Sequence, residues 1–487
     1  MSVAKQAARG VAWYMALGVT TRVLQLAGTL IVTHFIAPEA YGAVTAASIS
    51  VATASAITSF SFGQFMIAKK SPPELCAQAA IVHVGLGLLA IPVVFLLRGA
   101  LAQMWGTPAL GQYLLGFSLS MLVIDRARYV PERLLIRAMR FRAVATINGL
   151  GEIAFTVAAL ATAWAWGGYA IVFANLVRAV LTAAMFLWTA PRAEWFVRAR
   201  LRAPDVRALL GYGLPIMVAI ITDTLTKRWD NAVVSWLFGA GVMARYQLAY
   251  SLAEMPISHV AEHIGEVLMP TFSRMEEDQR ARAAVRAAAL MGVIVSPLGV
   301  GLGAIAPDVV ATFFKNEWQQ MMGTMLMILS VMTVFRPMPW SAIAYAQAVQ
   351  RTQVVMWSSF GRAIVVLSLV AAFGHVGGPY WACVGAGAGY AVHSLATIIG
   401  ACRATGLAPL PYLLGVARPL VACAPMFAAV LYAARVLAGV GVPPWLSLAV
   451  QIAVGGVVYV VAVFVVCRRE ALELLRMGRD AVGRRRR

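Results

Sequence analysis

The stretch that decides the fold spans residues 211–274 and reads GYGLPIMVAIITDTLTKRWDNAVVSWLFGAGVMARYQLAYSLAEMPISHVAEHIGEVLMPTFSR. Both of its ends are apolar enough to lie in a bilayer, yet its middle carries seven charges, at Asp223, Lys227, Arg228, Asp230, Arg245, Glu254 and Glu262. A charge at bilayer depth costs about 2.5–3.5 kcal/mol on insertion scales, so such residues normally face a polar cavity or one another. The stretch therefore predicts membrane-embedded helices beside the path of a hydrophilic substrate.

The composition of the whole chain indicates the same environment. The 487 residues are 61% hydrophobic and only 12% charged, with a mean hydropathy of +0.78. A soluble chain of this length needs more charge to cover its surface. Apolar blocks recur at about 20 residues, the length that a helix needs to cross the hydrocarbon core, whereas the period-2 alternation of barrel strands is absent. We predict an all-α polytopic membrane protein.

The apolar blocks predict about fourteen transmembrane helices. Their approximate bounds are 12–36, 44–66, 77–97, 112–130, 143–165, 169–189, 211–237, 244–268, 287–306, 321–343, 353–374, 380–402, 417–438 and 446–467. Twelve spans fit two lobes of six, and the last two are appended. The predicted regions are therefore residues 1–208, 209–405 and 406–487, the last with a basic tail.

The basic residues follow this topology. One set of connections and both termini hold 26 of the 40 Lys and Arg residues, whereas the connections on the other side hold Arg98 and Lys315. Positive residues stay on the cytoplasmic side, which places both termini in the cytoplasm. The formal net charge of +20 is thus explained without nucleic acid. The tail GRDAVGRRRR, residues 478–487, is typical of a lipid-facing anchor.

A faint internal repeat relates predicted spans 1 and 7. THFIAPEAYGAVTAA, residues 33–47, and SWLFGAGVMARYQLAY, residues 235–250, share an apolar run, a small-residue turn and a tyrosine that opens the next helix. Arg22 lies upstream of the first turn as Lys227 and Arg228 lie upstream of the second. Repeated halves with a substrate site between them are the usual build of secondary transporters.

The candidate substrate-binding residues are cations within predicted spans, namely Arg22, Arg178, Lys227, Arg228, Arg336 and Arg362. A positive lumen suits an anionic substrate such as a lipid pyrophosphate, and arginine adds bidentate phosphate geometry. Acidic candidates for ion coupling or charge pairing are Glu152, Asp223, Asp230, Glu254 and Glu262.

Several of these candidates have a second interpretation. The charges at Lys227, Arg228 and Asp230 could instead neutralise one another structurally. Glu254 and Glu262 share a helix face, which either pairs with the cations or lines a cytoplasmic exit. Arg126 is expected to snorkel to the membrane interface.

Catalytic and metal-binding signatures are absent from the sequence. It contains no Walker A, kinase or protease motif, and its five cysteines form no CxxC or Cys/His cluster. We therefore expect no enzymatic activity, no metal site and no cofactor. Coupling to H⁺ or Na⁺ is compatible with the acidic residues.

Several stretches resemble the polysaccharide and O-antigen (Wzx-type) flippases of the multidrug/oligosaccharidyl-lipid/polysaccharide exporter (MOP) superfamily. They occur in the same order through both lobes and read FIAPEAYG, RAMRFRAVA, GYGLPIM, RWDNAVVSWLFGAGVMARYQLAYSLAEMP, VLMPTFSRMEEDQ, APDVVATFFKNEW and AYAQAVQRTQ. The resemblance implies two six-helix lobes arranged as an inverted V, with two extra C-terminal helices. It also implies alternating access in a bacterial inner membrane, with a cationic cavity that Arg22, Lys227 and Arg228 fit.

The substrate implied by the resemblance is an undecaprenyl-pyrophosphate-linked oligosaccharide repeat unit for exopolysaccharide, O-antigen or capsule synthesis. Implied partners are membrane lipids and the polymerase and export machinery of the same pathway. Two related alternatives are a flippase for lipid II, the peptidoglycan precursor, and a MATE-like drug/cation antiporter. The arginine-rich spans disfavour the antiporter, because export of cations needs net acidic residues in the lumen. A non-transporting scaffold or an integral-membrane transferase is a further class.

Overall fold

The computed structural model describes residues 27–60, 62, 72–273, 275–349 and 351–485, and at some of these positions only the backbone. All regular structure within these ranges is helical, which confirms the predicted all-α fold. The chain packs as two compact units, Met1–Ala244 and Arg245–Arg487.

The described helices of the first unit follow one another along the chain. They are α1 Pro38–Ile57, α2 Pro73–Leu96, α3 Arg98–Met104, α4 Leu114–Ser118, α5 Asp125–Arg137, α6 Phe141–Trp166, α7 Gly168–Thr189, α8 Ala203–Arg228 and α9 Asp230–Phe238. A 3₁₀ turn, Pro108–Tyr113, precedes α4, and a π segment, Leu119–Ile124, joins α4 to α5. Residues 108–137 thus form one continuous helical path that changes type three times, from 3₁₀ to α, from α to π and back to α.

The second unit contains the longer helices, the first of which begins in the last residues of the first unit. They are α10 Ala240–Ser273, α11 Glu277–Phe313, α12 Asn316–Thr333, α13 Trp340–Ala348, α14 Thr352–Gly377, α15 Pro379–Thr405, α16 Pro409–Val440, α17 Pro444–Val466 and α18 Arg468–Arg485.

Proline starts five of the long helices, at Pro38, Pro73, Pro379, Pro409 and Pro444. At the first helical position the missing N–H is not needed, and the fixed φ of proline already suits the helix. The prolines therefore set where these helices begin, one to eight residues before the starts of the corresponding predicted spans.

Ten helical segments among the described residues are long and apolar enough to cross a membrane, and each matches one of the fourteen predicted spans. Of the other four, span 1 lies mostly outside the described residues. Spans 7 and 8 are helical but carry the charges of residues 211–274, and span 10 is interrupted between α12 and α13. The count of fourteen stays a prediction.

The core of the second unit lies where α11, α16 and α17 pack together. Met291 and Val295 of α11 are buried with Met426 of α16 and Val463 of α17. The hydroxyl of Tyr459 in α17 donates to the backbone carbonyl of α11 at Val293, at 2.7 Å. In a bilayer such apolar contacts gain little from solvent exclusion, so this close packing and the buried hydrogen bond hold the helices together.

Candidate functional site

A bend between two helices of the first unit carries several of the charges that the sequence singled out. α8 ends at Arg228, Trp229 forms the bend, and α9 begins at Asp230. Lys227 and Arg228 lie in the last turn of α8, where the helix dipole favours cations, and both residues are exposed. The indole Nε1 of Trp229 donates to Oγ1 of Thr53 at 3.2 Å, which fixes the bend against α1.

Asp230 is held by the residue that follows it. Asp230 is 2% exposed and Asn231 1%. Oδ1 of Asp230 accepts hydrogen bonds from the backbone N–H and the side-chain Nδ2 of Asn231, at 2.9 and 3.1 Å. Because an anion at a helix start is also stabilised by the dipole, these contacts favour a structural role for Asp230. The substrate-binding role of the two exposed cations stays a prediction.

A second charged group of the first unit joins α6 to α7. Nη1 of Arg178 lies 2.9 Å from Oε1 of Glu152, and Nη2 of Arg178 donates to Oδ1 of Asn175 at 2.8 Å. The guanidinium also lies 5.6 Å from the centroid of the Phe155 ring. Side-chain exposure is 29% for Arg178 and 22% for Glu152. The sequence named both residues as candidates, and the structure brings them together as an ion pair.

We expect the Arg178–Glu152 pair to contribute modestly to stability. Both side chains are partly accessible, so a double-mutant cycle of Arg178→Ala and Glu152→Ala should give a coupling of about 1 kcal/mol rather than the roughly 3–5 kcal/mol of a buried pair. Thermal unfolding of the four purified proteins in detergent measures it. Asn175→Ala, which removes the amide partner of Arg178 but leaves the ion pair with Glu152, is the control. A coupling indistinguishable from zero would show that the contact is not a stabilising pair.

Arg126 occupies a position that the sequence did not predict. It is 2% exposed, so the expectation that it snorkels to the interface is wrong. Nη1 donates to the backbone carbonyls of Thr58 and His83, and Nη2 donates to that of Ser55, each at 3.0 Å. Nη2 also contacts the hydroxyl of Thr58. The guanidinium therefore ties α5 to α2 and to the end of α1.

A glycine allows this close approach of the Arg126 helix to α2. A Cβ at Gly87 would lie 1.8 Å from the carbonyl oxygen of Leu122 in the π segment and 2.6 Å from Cδ of Arg126. Only a residue without a side chain fits between the two backbones. No pattern of charges in the sequence signals this contact, because Arg126 binds backbone carbonyls of residues distant in the chain.

In the second unit, the non-helical residues 334–339 between α12 and α13 hold Arg336. Pro337 and Pro339 cannot donate backbone hydrogen bonds, so the helix is interrupted here. The carbonyls released by the interruption are satisfied by side chains. Oγ of Ser394 donates to the carbonyl of Phe335 at 2.7 Å, and the hydroxyl of Tyr412 donates to the carbonyl of Met338 at 2.9 Å. Irregular backbone at membrane depth is tolerated only when it is paired in this way.

Arg336 forms an ion pair with Glu254 of α10. Its guanidinium also lies 5.5 Å from the ring centroid of Tyr390, and the hydroxyls of Tyr250 and Tyr390 hydrogen-bond at 2.7 Å. The Arg336 side chain is 12% exposed and that of Glu254 is 30% exposed. Of the two alternatives for Glu254, the structure has the pairing with a cation. The tyrosines carried no sequence signal that sets them apart from ordinary packed aromatics.

Arg362 lies on α14 and is partly buried. In the same helix Oγ of Ser358 hydrogen-bonds to Oγ1 of Thr397 at 3.0 Å and contacts Nε2 of His393 at 3.5 Å. α14 and α15 are therefore joined by polar groups as well as by apolar packing.

Three predicted site residues cannot be placed with the others. Arg22 lies outside the described residues, and the side chains of Asp223 and Glu262 lie outside what the structure describes, although α8 and α10 include their backbone. Across the described part of the chain, no group of three or more His, Cys, Asp or Glu side chains could hold a metal ion.

Solved structures share this fold. The lipid II flippase MurJ, in an inward closed conformation, matches with a TM-score of 0.76 over 94% of this chain and 99% of that chain, at 13% sequence identity. An inward-facing multidrug resistance MATE family transporter gives a TM-score of 0.61 over 79% of this chain and 94% of that chain, at 15% identity. The fold is that of the MOP superfamily of transporters, and the protein is a multi-pass membrane protein.

Sequence relatives define the family. The succinoglycan biosynthesis transport protein ExoT of Rhizobium meliloti (strain 1021) is 26% identical over 98% of this chain and 96% of its own length. The lipopolysaccharide biosynthesis protein WzxC of Escherichia coli (strain K12) is 22% identical over 69% of this chain and 68% of its own. The profile of a family described as polysaccharide biosynthesis protein matches residues 31–323. The protein belongs to this family, which confirms the resemblance found in the sequence.

Proposed function

We propose that the protein flips lipid-linked oligosaccharide repeat units across the bacterial inner membrane for the synthesis of an exopolysaccharide, O-antigen or capsule. The proposed lipid carrier is undecaprenyl pyrophosphate, and the proposed mechanism is alternating access. The protein acts as a transporter, and the cytoplasmic side is the one that holds the arginine-rich connections and both termini. The polymerase and export machinery of the same pathway are the proposed partners.

The observation that carries this proposal is the position of the cations at interruptions of otherwise apolar helices. Lys227 and Arg228 precede the bend at Trp229, and Arg336 lies in the non-helical residues 334–339. Transporters build substrate sites at such interruptions, where backbone and charged groups face a cavity. A diphosphate needs cations to offset its desolvation, and arginine binds phosphate bidentately. The name of the relative ExoT, which covers nearly the whole chain, supports a polysaccharide precursor as the substrate.

Two of the candidate arginines are paired with glutamates, and this pairing suggests how the substrate gains access to the arginines. Glu152 and Glu254 each neutralise an arginine in the described structure. An arriving diphosphate, or a proton or Na⁺ taken up by the carboxylate, would compete for this pairing. Exchange of one anionic partner for another lets the site bind and release its substrate without leaving a buried charge unpaired. Coupling to H⁺ or Na⁺ through these carboxylates is part of the proposal.

The direct test is reconstitution of the protein into liposomes with a fluorescent lipid-linked oligosaccharide. We expect flipping with the wild-type protein and a fall of at least tenfold with Lys227→Ala, because the diphosphate then loses one of the cations that the proposal assigns to it. A membrane-impermeant quencher measures the fraction of label that changes leaflet. Lys315→Ala, at an exposed lysine before α12, is the matched control and should flip at the wild-type rate.

Cells provide a second readout of the same prediction. Arg22→Ala or Lys227→Ala should abolish export of the polysaccharide while the protein stays in the membrane at the wild-type level. Normal surface polymer in both mutants, together with unchanged flipping in liposomes, would contradict the proposed role of the cations.

A second candidate function is flipping of lipid II, since the MurJ structure shares the fold over nearly the whole chain. Complementation of a strain depleted of its lipid II flippase distinguishes the two functions, because a polysaccharide flippase should not restore growth. The MATE-like antiporter is tested by overexpression, which would raise resistance to cationic dyes only if the protein exports them.

A further inference from the structure

A cavity of about 650 Å³ opens in the second unit where the N-terminal parts of α11, α16 and α18 meet. Arg282 and Arg286 line it from α11, Arg418 from α16 and Arg469 from α18, together with Glu470 and Glu473. Four arginines and two glutamates give the lining a net charge of +2. None of these residues belongs to the candidate site described above.

The wall formed by α18 is held in place by an ion pair and by packing. Nε and Nη2 of Arg286 lie 2.6 and 2.5 Å from Oε1 of Glu473, and Ala471 of α18 is buried in the core with Cys467. The packing of Ala471 and Cys467 positions this wall of the cavity, and the partly exposed Arg286–Glu473 pair is neutral. The positive charge of the cavity comes from Arg282, Arg418 and Arg469, which are exposed.

An apolar surface continues from this cavity along α16. Leu410 and Leu414 line the cavity and are 65% and 45% exposed. Val421, Tyr432 and Val436 are 62%, 71% and 47% exposed further along the same helix. At about 100° per residue these five positions lie within an arc of roughly 80°. A cationic cavity thus stands at one end of an apolar face that is as long as a membrane span.

We propose that this cavity binds the phosphodiester headgroup of an anionic diacyl phospholipid, such as phosphatidylglycerol, whose acyl chains lie along α16. Arginines bind phosphate oxygens bidentately, and a basic pocket between helices on the cytoplasmic side is a typical site for anionic headgroups. The volume lies within the range of small-molecule sites. The Arg-rich connections place the cavity in the cytoplasmic leaflet. This inference does not depend on the transported substrate.

The test is lipid titration of the purified full-length protein in detergent, followed by native mass spectrometry. We expect dioleoyl phosphatidylglycerol to bind at least tenfold more tightly than dioleoyl phosphatidylcholine. Arg418→Gln/Arg469→Gln should weaken phosphatidylglycerol binding roughly 30-fold, which corresponds to about 1 kcal/mol for each arginine. Arg435→Gln, at an exposed arginine of the opposite end of α16, is the matched control and should bind as the wild type does.

Other occupants are separate outcomes. Inorganic phosphate that displaces phosphatidylglycerol at equal concentration would identify a simple anion site, and a polyprenyl diphosphate that displaces it at lower concentration would assign the cavity to the transported lipid. Either result overturns the proposal, as does equal binding by the arginine variant and the wild type. If the arginine variant does not fold, Leu410→Asn/Leu414→Asn tests the apolar wall and should weaken phosphatidylglycerol binding about tenfold. Unchanged binding by this variant also overturns the proposal.

Discussion

Arg336→Ala is expected to lower flipping of a lipid-linked oligosaccharide at least tenfold and to destabilise the protein. The substitution leaves the Glu254 carboxylate of α10 without the cation that the interruption between α12 and α13 supplies. Breaking a buried pair costs roughly 3–5 kcal/mol, and the 30% exposure of Glu254 reduces this to about 2–3 kcal/mol. The liposome assay and thermal unfolding in detergent measure the two effects separately.

The double variant Arg336→Ala/Glu254→Ala distinguishes a structural role from a transport role. It removes both charges, so the unfolding temperature should return toward the wild-type value, whereas flipping should stay low because the cation is still missing. Arg351→Ala, at an exposed arginine before α14, is the control for loss of a positive charge. Restored flipping in the double variant would show that the pair serves stability alone and that Arg336 does not act on the substrate.

Arg126→Ala is expected to have the largest effect on stability in the first unit. It removes the donor to the carbonyls of Ser55, Thr58 and His83 and leaves a cavity. An unsatisfied buried acceptor costs about 1–3 kcal/mol and the cavity adds to this, so we expect a loss of roughly 4 kcal/mol. Thermal unfolding in detergent should show a fall of several degrees.

The control for this prediction is Arg98→Ala, because Arg98 is exposed at the start of α3 and an exposed substitution usually changes stability by less than about 0.5 kcal/mol. Arg126→Lys keeps the charge but not the planar fork, so it should unfold between the wild type and Arg126→Ala. If Arg126→Ala unfolds at the same temperature as Arg98→Ala, the guanidinium does not hold the three helices together.

The sequence is sufficient for the helical fold because its signals are local. Apolar length predicts the spans, whereas proline at the first helical position fixes the starts of helices such as α15 and α16 more closely than apolar length does. The count of spans is harder to predict where a helix carries function. α8 with α9, and α12 with α13, are interrupted and charged, so length and hydropathy alone do not describe them.

The candidate site is predicted less completely from the sequence than the helical fold is. Their positions within apolar blocks identify Arg178, Glu152, Arg336 and Glu254 as charged residues inside predicted spans. Their pairing depends on which helices become neighbours, and this is not local information. Arg126 is the clearest case, since a cation near a span end looks interfacial by sequence. Its burial depends on Gly87 of another helix, which allows the two backbones to approach.

The π segment Leu119–Ile124 has a consequence for how this span can change during evolution. Each residue inserted into an α-helix rotates everything beyond it by about 100°, and a π turn confines one such insertion to a single turn. The residues before and after it therefore keep the register that they would have in an uninterrupted α-helix. A one-residue deletion within the segment would convert it to regular α-helix and leave Arg126 beside its three carbonyl partners. This segment is thus the place where the helical path of residues 108–137 can lose a residue without moving Arg126.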